Sequence, residues 1–175
     1  MKARITPTQR EVRLADDDLI VSKTDSTGRL TYVNRTFMRI TNYPEHALLG
    51  QQHNLVRHPD MPRGVFRLMW ETLKAEREFF GIIKNMTSDG DFYWVFANVT
   101  PDHDQGGGVS GYFSVRRSVP LAAVAAASEL YTRMLQLERS AGPATAPEAS
   151  LAWLRRTLAE RQTTYERFVL DLYAS

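Results

Sequence analysis

The chain has 175 residues, of which 43% are hydrophobic and 24% are charged, and this balance predicts one globular domain with additional elements. The formal net charge of +2 provides no field strong enough to favour nucleic acid as a partner. The absence of cysteine excludes disulfides, thiolate catalysis, cysteine-ligated metals and photochemistry through a cysteine adduct. The sequence contains no apolar run of membrane-spanning length and no signal-peptide pattern, so a cytoplasmic protein without a membrane segment is expected.

The first part of the chain predicts a β-hairpin followed by short helices. Residues 1–18 show little periodicity and are interpreted as an N-terminal cap that precedes a domain over 19–118. Strands are predicted at 19–24 and 29–34, and Gly28 supplies the positive φ that a tight turn between them requires. Two short helical segments follow these strands, before residue 51.

Residues 53–62, His-Asn-Leu-Val-Arg-His-Pro-Asp-Met-Pro, form a dense polar cluster. Its two prolines remove backbone donors, so the segment is predicted to be the interior of neither a helix nor a strand. A helix is predicted over 63–76, and Pro62 lies near its first turn. The polar side chains therefore gather at a helix N-terminus, which suits an anion or an electron-rich ring. A loop that merely caps the helix accounts for the composition equally well.

Three further strands are predicted at 79–87, 91–101 and 109–117, and the first two are joined by the turn Ser88-Asp-Gly90. With the N-terminal hairpin they make five antiparallel strands. A sheet of this kind with short helices on one face is an α+β fold that leaves a pocket between the sheet and the helices.

Residues 119–175 predict a C-terminal helical hairpin, with helices over 120–139 and 148–173 joined by a linker at 141–147. The last helix carries a stripe of large side chains at near-heptad spacing: Leu151, Leu154, Leu158, Tyr165, Phe168 and Leu172. Such a stripe requires a partner surface, either the preceding helix or the same helix of a second chain. We predict a hairpin that also contributes to a homodimer.

The order of elements and several short motifs resemble the PAS-domain superfamily. More narrowly, the first 118 or so residues resemble the FAD-binding PAS domain of Aer-type aerotaxis and redox receptors. The most specific motif is His-Pro-Asp-Met-Pro within the polar cluster. The other matching motifs are Val21-Ser-Lys-Thr-Asp25, Tyr32-Val-Asn34, Leu49-Gly-Gln51, Met69-Trp70, Lys84-Asn85, Gly90-Asp91, Tyr93-Trp94 and Gly111-Tyr112.

This resemblance implies a cytoplasmic, non-enzymatic sensor whose FAD changes redox state with respiratory activity and whose partner is a chemotaxis signalling protein or receptor. It implies that the flavin site is lined or supported by Asn34, Arg57, His58, Asp60, Trp70 and Asn85. His53 joins this set because it stands where similar light-sensing flavin domains carry their reactive cysteine. Phe79 joins it because strand alternation turns Phe79 to the same face as Asn85. Arg57 and Arg63 are expected to serve the diphosphate.

Phe79-Phe80 stands where the family has a tryptophan followed by serine or threonine, so two rings are expected to fill part of the flavin slot. Three functions stay open for this reason: an FAD redox sensor, a cofactor-free PAS dimerisation or docking module, and a sensor of another ligand such as haem. The spacing of His53, His58 and Asp60 does not support a metal site. The sequence lacks a convincing acid–base pair or Ser/His/Asp arrangement, so an enzyme is not predicted.

Overall fold

Five antiparallel strands make up the sheet in the computed structural model, which describes residues 5–175. The strands are β1 (Ile20–Asp25), β2 (Leu30–Val33), β3 (Phe79–Met86), β4 (Phe92–His103) and β5 (Val109–Arg117). Their order in the sheet is β2-β1-β5-β4-β3, and each neighbouring pair is antiparallel. The predicted α+β class and the five-stranded sheet are confirmed.

Short helices cover the inner face of this sheet. They are α1 (Arg35–Thr41), α2 (Glu45–Leu48) and α3 (Arg63–Lys74), with a 3₁₀ turn at His53–Val56 between the last two. Helix α1 ends at Asn42, whose φ of 55° is left-handed. The polar cluster therefore contains a short helical turn, and Arg57 then forms an isolated antiparallel bridge with Asn85 of β3.

Within residues 119–175, all of which the structure describes, three helices form: α4 (Leu121–Ser140), α5 (Ala146–Glu160) and α6 (Tyr165–Ala174). Helices α4 and α5 pack together as the predicted hairpin. The prediction of one continuous helix over 148–173 is wrong. The chain turns at Gln162, which has a φ of 54°, and Thr164 then caps α6 by accepting a hydrogen bond from the Arg167 N–H.

The part of the apolar stripe that lies on α5 is buried within its own chain, whereas Phe168 and Leu172 on α6 are only partly buried. Leu151, Leu154 and Leu158 are almost fully buried, and α5 packs against both α3 and α4. Gly64 of α3 permits this close approach, because a Cβ atom there would lie 2.3 Å from Ser150 Oγ. Burial against α3 and α4 accounts for the α5 part of the stripe without a second chain, so that part does not support the predicted homodimer.

Helices α4 and α6 cover the outer face of the sheet. Tyr131 of α4 stacks on Trp94 of β4, with ring centroids 6.5 Å apart. Tyr173 of α6 stacks on Phe96 of the same strand at 4.1 Å. The alternating aromatic side chains of β4 therefore serve as a docking surface for the extension. None of the helices in residues 5–175 combines the length and apolar character needed to cross a membrane.

Replacing Leu154 by alanine tests the packing of α5. Its side chain is fully buried, so we expect Leu154→Ala to lower the free energy of unfolding by about 2–5 kcal/mol. The matched control is Arg156→Ala on the exposed side of the same helix, which we expect to change the free energy of unfolding by less than about 0.5 kcal/mol. Urea denaturation measures both, and equal losses in the two variants would contradict the packing of α5.

Candidate ligand-binding cavity

A cavity of about 210 Å³ lies between the inner face of the sheet and α3. Helix α3 contributes Phe66, Met69, Trp70 and Leu73 to its wall, and the sheet contributes Phe79, Ile83, Ala97, Val99 and Tyr112. Trp70 and Tyr112 meet edge to face, with ring centroids 5.3 Å apart, and so join the two walls. The apolar walls suit a flat ring, and the volume is below the roughly 300–1,000 Å³ of pockets that enclose a whole drug-sized ligand.

The alternation of β3 decides which of its side chains enter the cavity. Phe79, Ile83 and Asn85 face inward and line it, as predicted from the sequence. Phe80 faces the outer side and stacks on Phe96 at 6.1 Å. The expectation that both rings fill the slot is therefore corrected: Phe79 enters the slot, and its ring lies over Gly81, where a Cβ atom would come within 2.7 Å of it.

Arg116 of β5 and His53 form the polar wall of the cavity. Arg116 Nη2 donates to Ser22 Oγ at 2.7 Å and to His53 Nε2 at 2.6 Å. Because a guanidinium only donates, His53 Nε2 is an acceptor and the imidazole proton resides on Nδ1. Burial and the Arg116 charge lower the pKa of His53 well below its ordinary value, so the ring is neutral at physiological pH. Burial lowers the pKa of Arg116 to about 10, so the guanidinium is still charged at physiological pH.

Three buried polar atoms of the cavity wall have no hydrogen-bond partner within residues 5–175: Thr24 Oγ1, Ser114 Oγ and Arg116 Nη1. Buried polar groups in native proteins are nearly always paired, so these atoms are available to a ligand. No Asp or Glu of the described chain lines the cavity, whereas Arg57 and Arg116 both do. The cavity is therefore positively charged and suits a ligand with electron-rich edges.

Five of the eight site residues predicted from the sequence line this cavity: His53, Arg57, Trp70, Phe79 and Asn85. The other three lie outside its lining. Asn34 caps α1, where its side chain accepts from the Phe37 N–H at 2.9 Å and donates to the Leu19 carbonyl. Whether any of these residues binds a cofactor stays a prediction.

His58 and Asp60 stabilise the loop beside β3 instead. His58 is buried, and its Nδ1 accepts a hydrogen bond from the Asp60 N–H at 3.1 Å. The Asp60 carboxylate accepts from Lys84 Nζ at 2.8 Å. Because Arg57 pairs with β3 and points into the cavity, the residue after it is turned away from the cavity. No group of three or more potential metal-binding side chains occurs in the part of the chain that is described.

Sequence reasoning missed Thr24, Ser114 and Arg116. The signal for them was the alternation of β1 and β5, which places Ser22 and Thr24 on one face and pairs them with Ser114 and Tyr112. Two adjacent strands with hydroxyl groups on their buried face indicate a polar wall rather than a plain core.

The N-terminus of α3 is occupied by the chain itself. The backbone N–H groups of Arg63 and Gly64 donate to the carboxylate of Glu138 at 3.0 and 2.9 Å. The Arg63 guanidinium donates to the Pro143 carbonyl at 2.9 Å. The expectation that Arg63 and this helix end serve a diphosphate is therefore corrected, since an internal anion satisfies the helix end. Arg57 remains at the cavity, where its guanidinium lies 4.0 Å from the centre of the Phe66 ring.

Comparison with known families is consistent with this arrangement of sheet, helices and cavity. Residues 30–116 match the family model described as the PAS fold. The chain contains a PAS domain. This PAS domain is similar to the aerotaxis receptor of Escherichia coli (strain K12), with 44% identity over 124 residues. That alignment covers 71% of the chain and 24% of the receptor, so the chain spans about a quarter of the length of this curated relative.

Solved structures share the fold at lower identity. The dark structure of the blue-light photoreceptor Aureochrome1 LOV has a TM-score of 0.54 and 20% identity, and the match covers 68% of this chain and 86% of that one. A light-oxygen-voltage domain studied with a flavin analogue has a TM-score of 0.53 and 18% identity, over 70% of this chain and 86% of that one. These matches confirm the predicted PAS fold.

Two histidines, the buried His58 and the half-buried His53, make the free energy of unfolding depend on pH. Burial and the Lys84 charge lower the pKa of His58 to about 4, and the pKa of His53 is also lowered. Below about pH 6.5 the unfolded chain takes up protons that the folded protein does not bind, so the free energy of unfolding falls as the pH is lowered towards about 4. Each histidine contributes up to about 1.4 kcal/mol per pH unit.

Chemical denaturation at several pH values between about 6.5 and 4 checks this expectation. His58→Asn keeps a polar side chain but cannot take up the proton, so its free energy of unfolding should fall less steeply over the same range. A slope equal to that of the unaltered protein would show that His58 does not contribute.

Proposed function

We propose that this PAS domain binds FAD non-covalently and acts as a redox or energy sensor in aerotaxis or chemotaxis signalling. The observation that carries the proposal is the cavity, which combines an apolar slot with unpartnered buried polar atoms. A cofactor-free docking module has no use for such a combination, because unpaired buried polar groups are destabilising. The similarity to an aerotaxis receptor supports the same reading.

The residues of the cavity fit an isoalloxazine ring. Phe66, Met69 and Ile83 offer apolar contact to its faces, while Asn85 and Arg116 offer donors to the oxygens and nitrogens of its pyrimidine edge. The small volume of the cavity leaves the rest of the dinucleotide outside the slot, where Arg57 is the cation available to the diphosphate. When bound, the ring supplies the reversible electron uptake that redox sensing requires.

Haem is the alternative ligand, and His53 is poorly suited to coordinate its iron. Its Nε2 atom already accepts a hydrogen bond from Arg116, and a nearby cation opposes the binding of a metal ion to the same nitrogen. We therefore keep flavin as the proposed ligand.

A chain of aromatic contacts supports signalling from the cavity to the extension. Phe79, which lines the cavity, stacks on Tyr165 of α6 with ring centroids 5.9 Å apart. The Tyr165 hydroxyl lies 2.5 Å from that of Tyr131 on α4, which in turn donates to the Ile82 carbonyl of β3 at 2.7 Å. We propose that a change in the cavity alters these contacts, and that a chemotaxis signalling protein or receptor reads the extension. In this proposal the protein is cytoplasmic and has no catalytic activity of its own.

The predicted homodimer remains a proposal that must rest on surfaces other than the buried α5 part of the stripe. Large apolar side chains that are still exposed are Leu19, Tyr32, Leu49 and Leu121. We expect light scattering of the purified protein to give twice the mass of one chain. A mass that stays at that of one chain at high protein concentration would contradict the homodimer.

The flavin itself is tested by heating the purified protein and separating the supernatant by chromatography. We expect free FAD to be released, because the proposal places the flavin in the cavity through non-covalent contacts alone. A protein that yields no flavin and cannot be reloaded with FAD would contradict the proposal and leave the docking module as the better function.

Substitution of Asn85 tests whether the flavin ring lies in the cavity. Asn85→Ala removes a donor at the cavity wall, so we expect FAD affinity to fall by roughly twofold to tenfold, the effect of one ordinary hydrogen bond. The matched control is Asn98→Ala on the outer side of β4, where the amide donates to Glu78 at 3.4 Å, and we expect it to leave affinity unchanged. Fluorescence titration of flavin-free protein measures both, and equal affinities in the two variants would place the ring elsewhere.

A further inference from the structure

Arg116 is a buried cation at the wall of the cavity. Its exposed fraction is 3%. One terminal nitrogen, Nη2, is held by Ser22 and His53, and Phe37 packs with its ring centre 5.3 Å from the guanidinium carbon. These contacts fix the orientation of the guanidinium before any ligand arrives.

The other terminal nitrogen, Nη1, is buried and has no hydrogen-bond partner in residues 5–175. No carboxylate in that range forms an ion pair with Arg116, and the second cation of the wall, Arg57, adds to the positive charge. A buried cation without a counter-ion lowers the stability of a folded protein. The chain therefore holds Arg116 where its charge has no counter-ion and one of its donor nitrogens has no partner from residues 5–175.

Arg117, the next residue, shows that only the inner face of β5 buries an arginine that lacks a counter-ion in residues 5–175. Arg117 follows on the same strand, faces the outer side and is exposed to solvent. Strand alternation alone thus separates an ordinary surface arginine from one that faces the cavity. Buried polar groups that break the rules of a stable core are typical of binding sites.

We propose that Arg116 is a ligand-binding residue whose guanidinium contacts the electron-rich edge of the ring and is the counter-ion for the negative charge that the ring gains on reduction. This inference rests on the proposed function. A flavin ring that takes two electrons from a donor such as dithionite and one proton from water gains one negative charge. Arg116 lies in a site of low dielectric, where a charge–charge contact is strong, so the reduced ring binds more tightly than it would without this cation.

The first test measures stability without flavin. Arg116→Met replaces the cation by an adaptable apolar side chain, and Ser22 Oγ, 3.4 Å from His53 Nε2, is then free to donate to that nitrogen. We expect flavin-free Arg116→Met to have a melting temperature equal to or above that of the unaltered protein. A lower melting temperature, or a variant that does not fold, would show that Arg116 is a structural residue and would overturn the inference.

The second test measures the midpoint potential of bound FAD against a reference dye during reduction with dithionite. Loss of a charged hydrogen-bonding partner should reduce the ratio of reduced to oxidised affinity roughly tenfold to hundredfold in Arg116→Met. For a two-electron couple this ratio corresponds to a midpoint about 30–60 mV lower. Arg116→Lys keeps the charge, so we expect it to recover part of the shift.

The matched control is Arg117→Met, which removes the same charge from the opposite face of the same strand. We expect it to leave the midpoint unchanged, and an equal shift in both variants would assign the effect to the overall charge instead of to contact. If all variants bind FAD at one midpoint, the role of Arg116 fails while the proposed function stands. If the unaltered protein binds no FAD, the proposed function fails and flavin is excluded as the ligand of Arg116.

Discussion

The carboxylate of Glu138 joins three helices at one point and holds α3, the helix that forms one wall of the cavity. It accepts hydrogen bonds from the first N–H groups of α3 and from Ser150 Oγ of α5, while its own backbone belongs to α4. A carboxylate at a helix N-terminus is favoured by both hydrogen bonding and the helix dipole. The contact therefore holds α3 from the side away from the sheet, and the cavity lies between α3 and the sheet.

The cavity is divided into two chemical sides by the alternation of strands. Strands β3 and β4 present mainly apolar side chains to it, while β1 and β5 present Thr24, Ser114 and Arg116. The apolar side contributes to folding in the usual way, through burial. On the polar side, Thr24 Oγ1, Ser114 Oγ and Arg116 Nη1 lose water without gaining partners from residues 5–175, which lowers stability. An apolar side and a polar side together suit a flat ring that has polar edges.

The extension is an integral part of the PAS domain's packing. Helices α4 and α6 cover the outer face of the sheet, and α5 packs against α3. The extension therefore contacts both walls of the cavity, the sheet and α3. Phe79 connects the cavity with the extension, since its ring lines the cavity and also stacks on Tyr165 of α6. In a close-packed interior, a displaced side chain forces its neighbours to move, so a contact of this kind is suited to transmit a local change.

The sequence by itself determined the strands, most of the helices and the inward face of β3. Hairpin turns, periodicity and Pro62 predicted the strands and most of the helices, and alternation from Asn85 predicted correctly that Phe79 faces the cavity. Only the tertiary structure decided the contacts between distant residues: Arg116 with His53, 63 positions apart, and Gly64 with Glu138, 74 positions apart. Local patterns report period and capping, which are properties of neighbouring residues. The partner of a buried charge is decided by which elements pack together, and that information is absent from any short stretch of the chain.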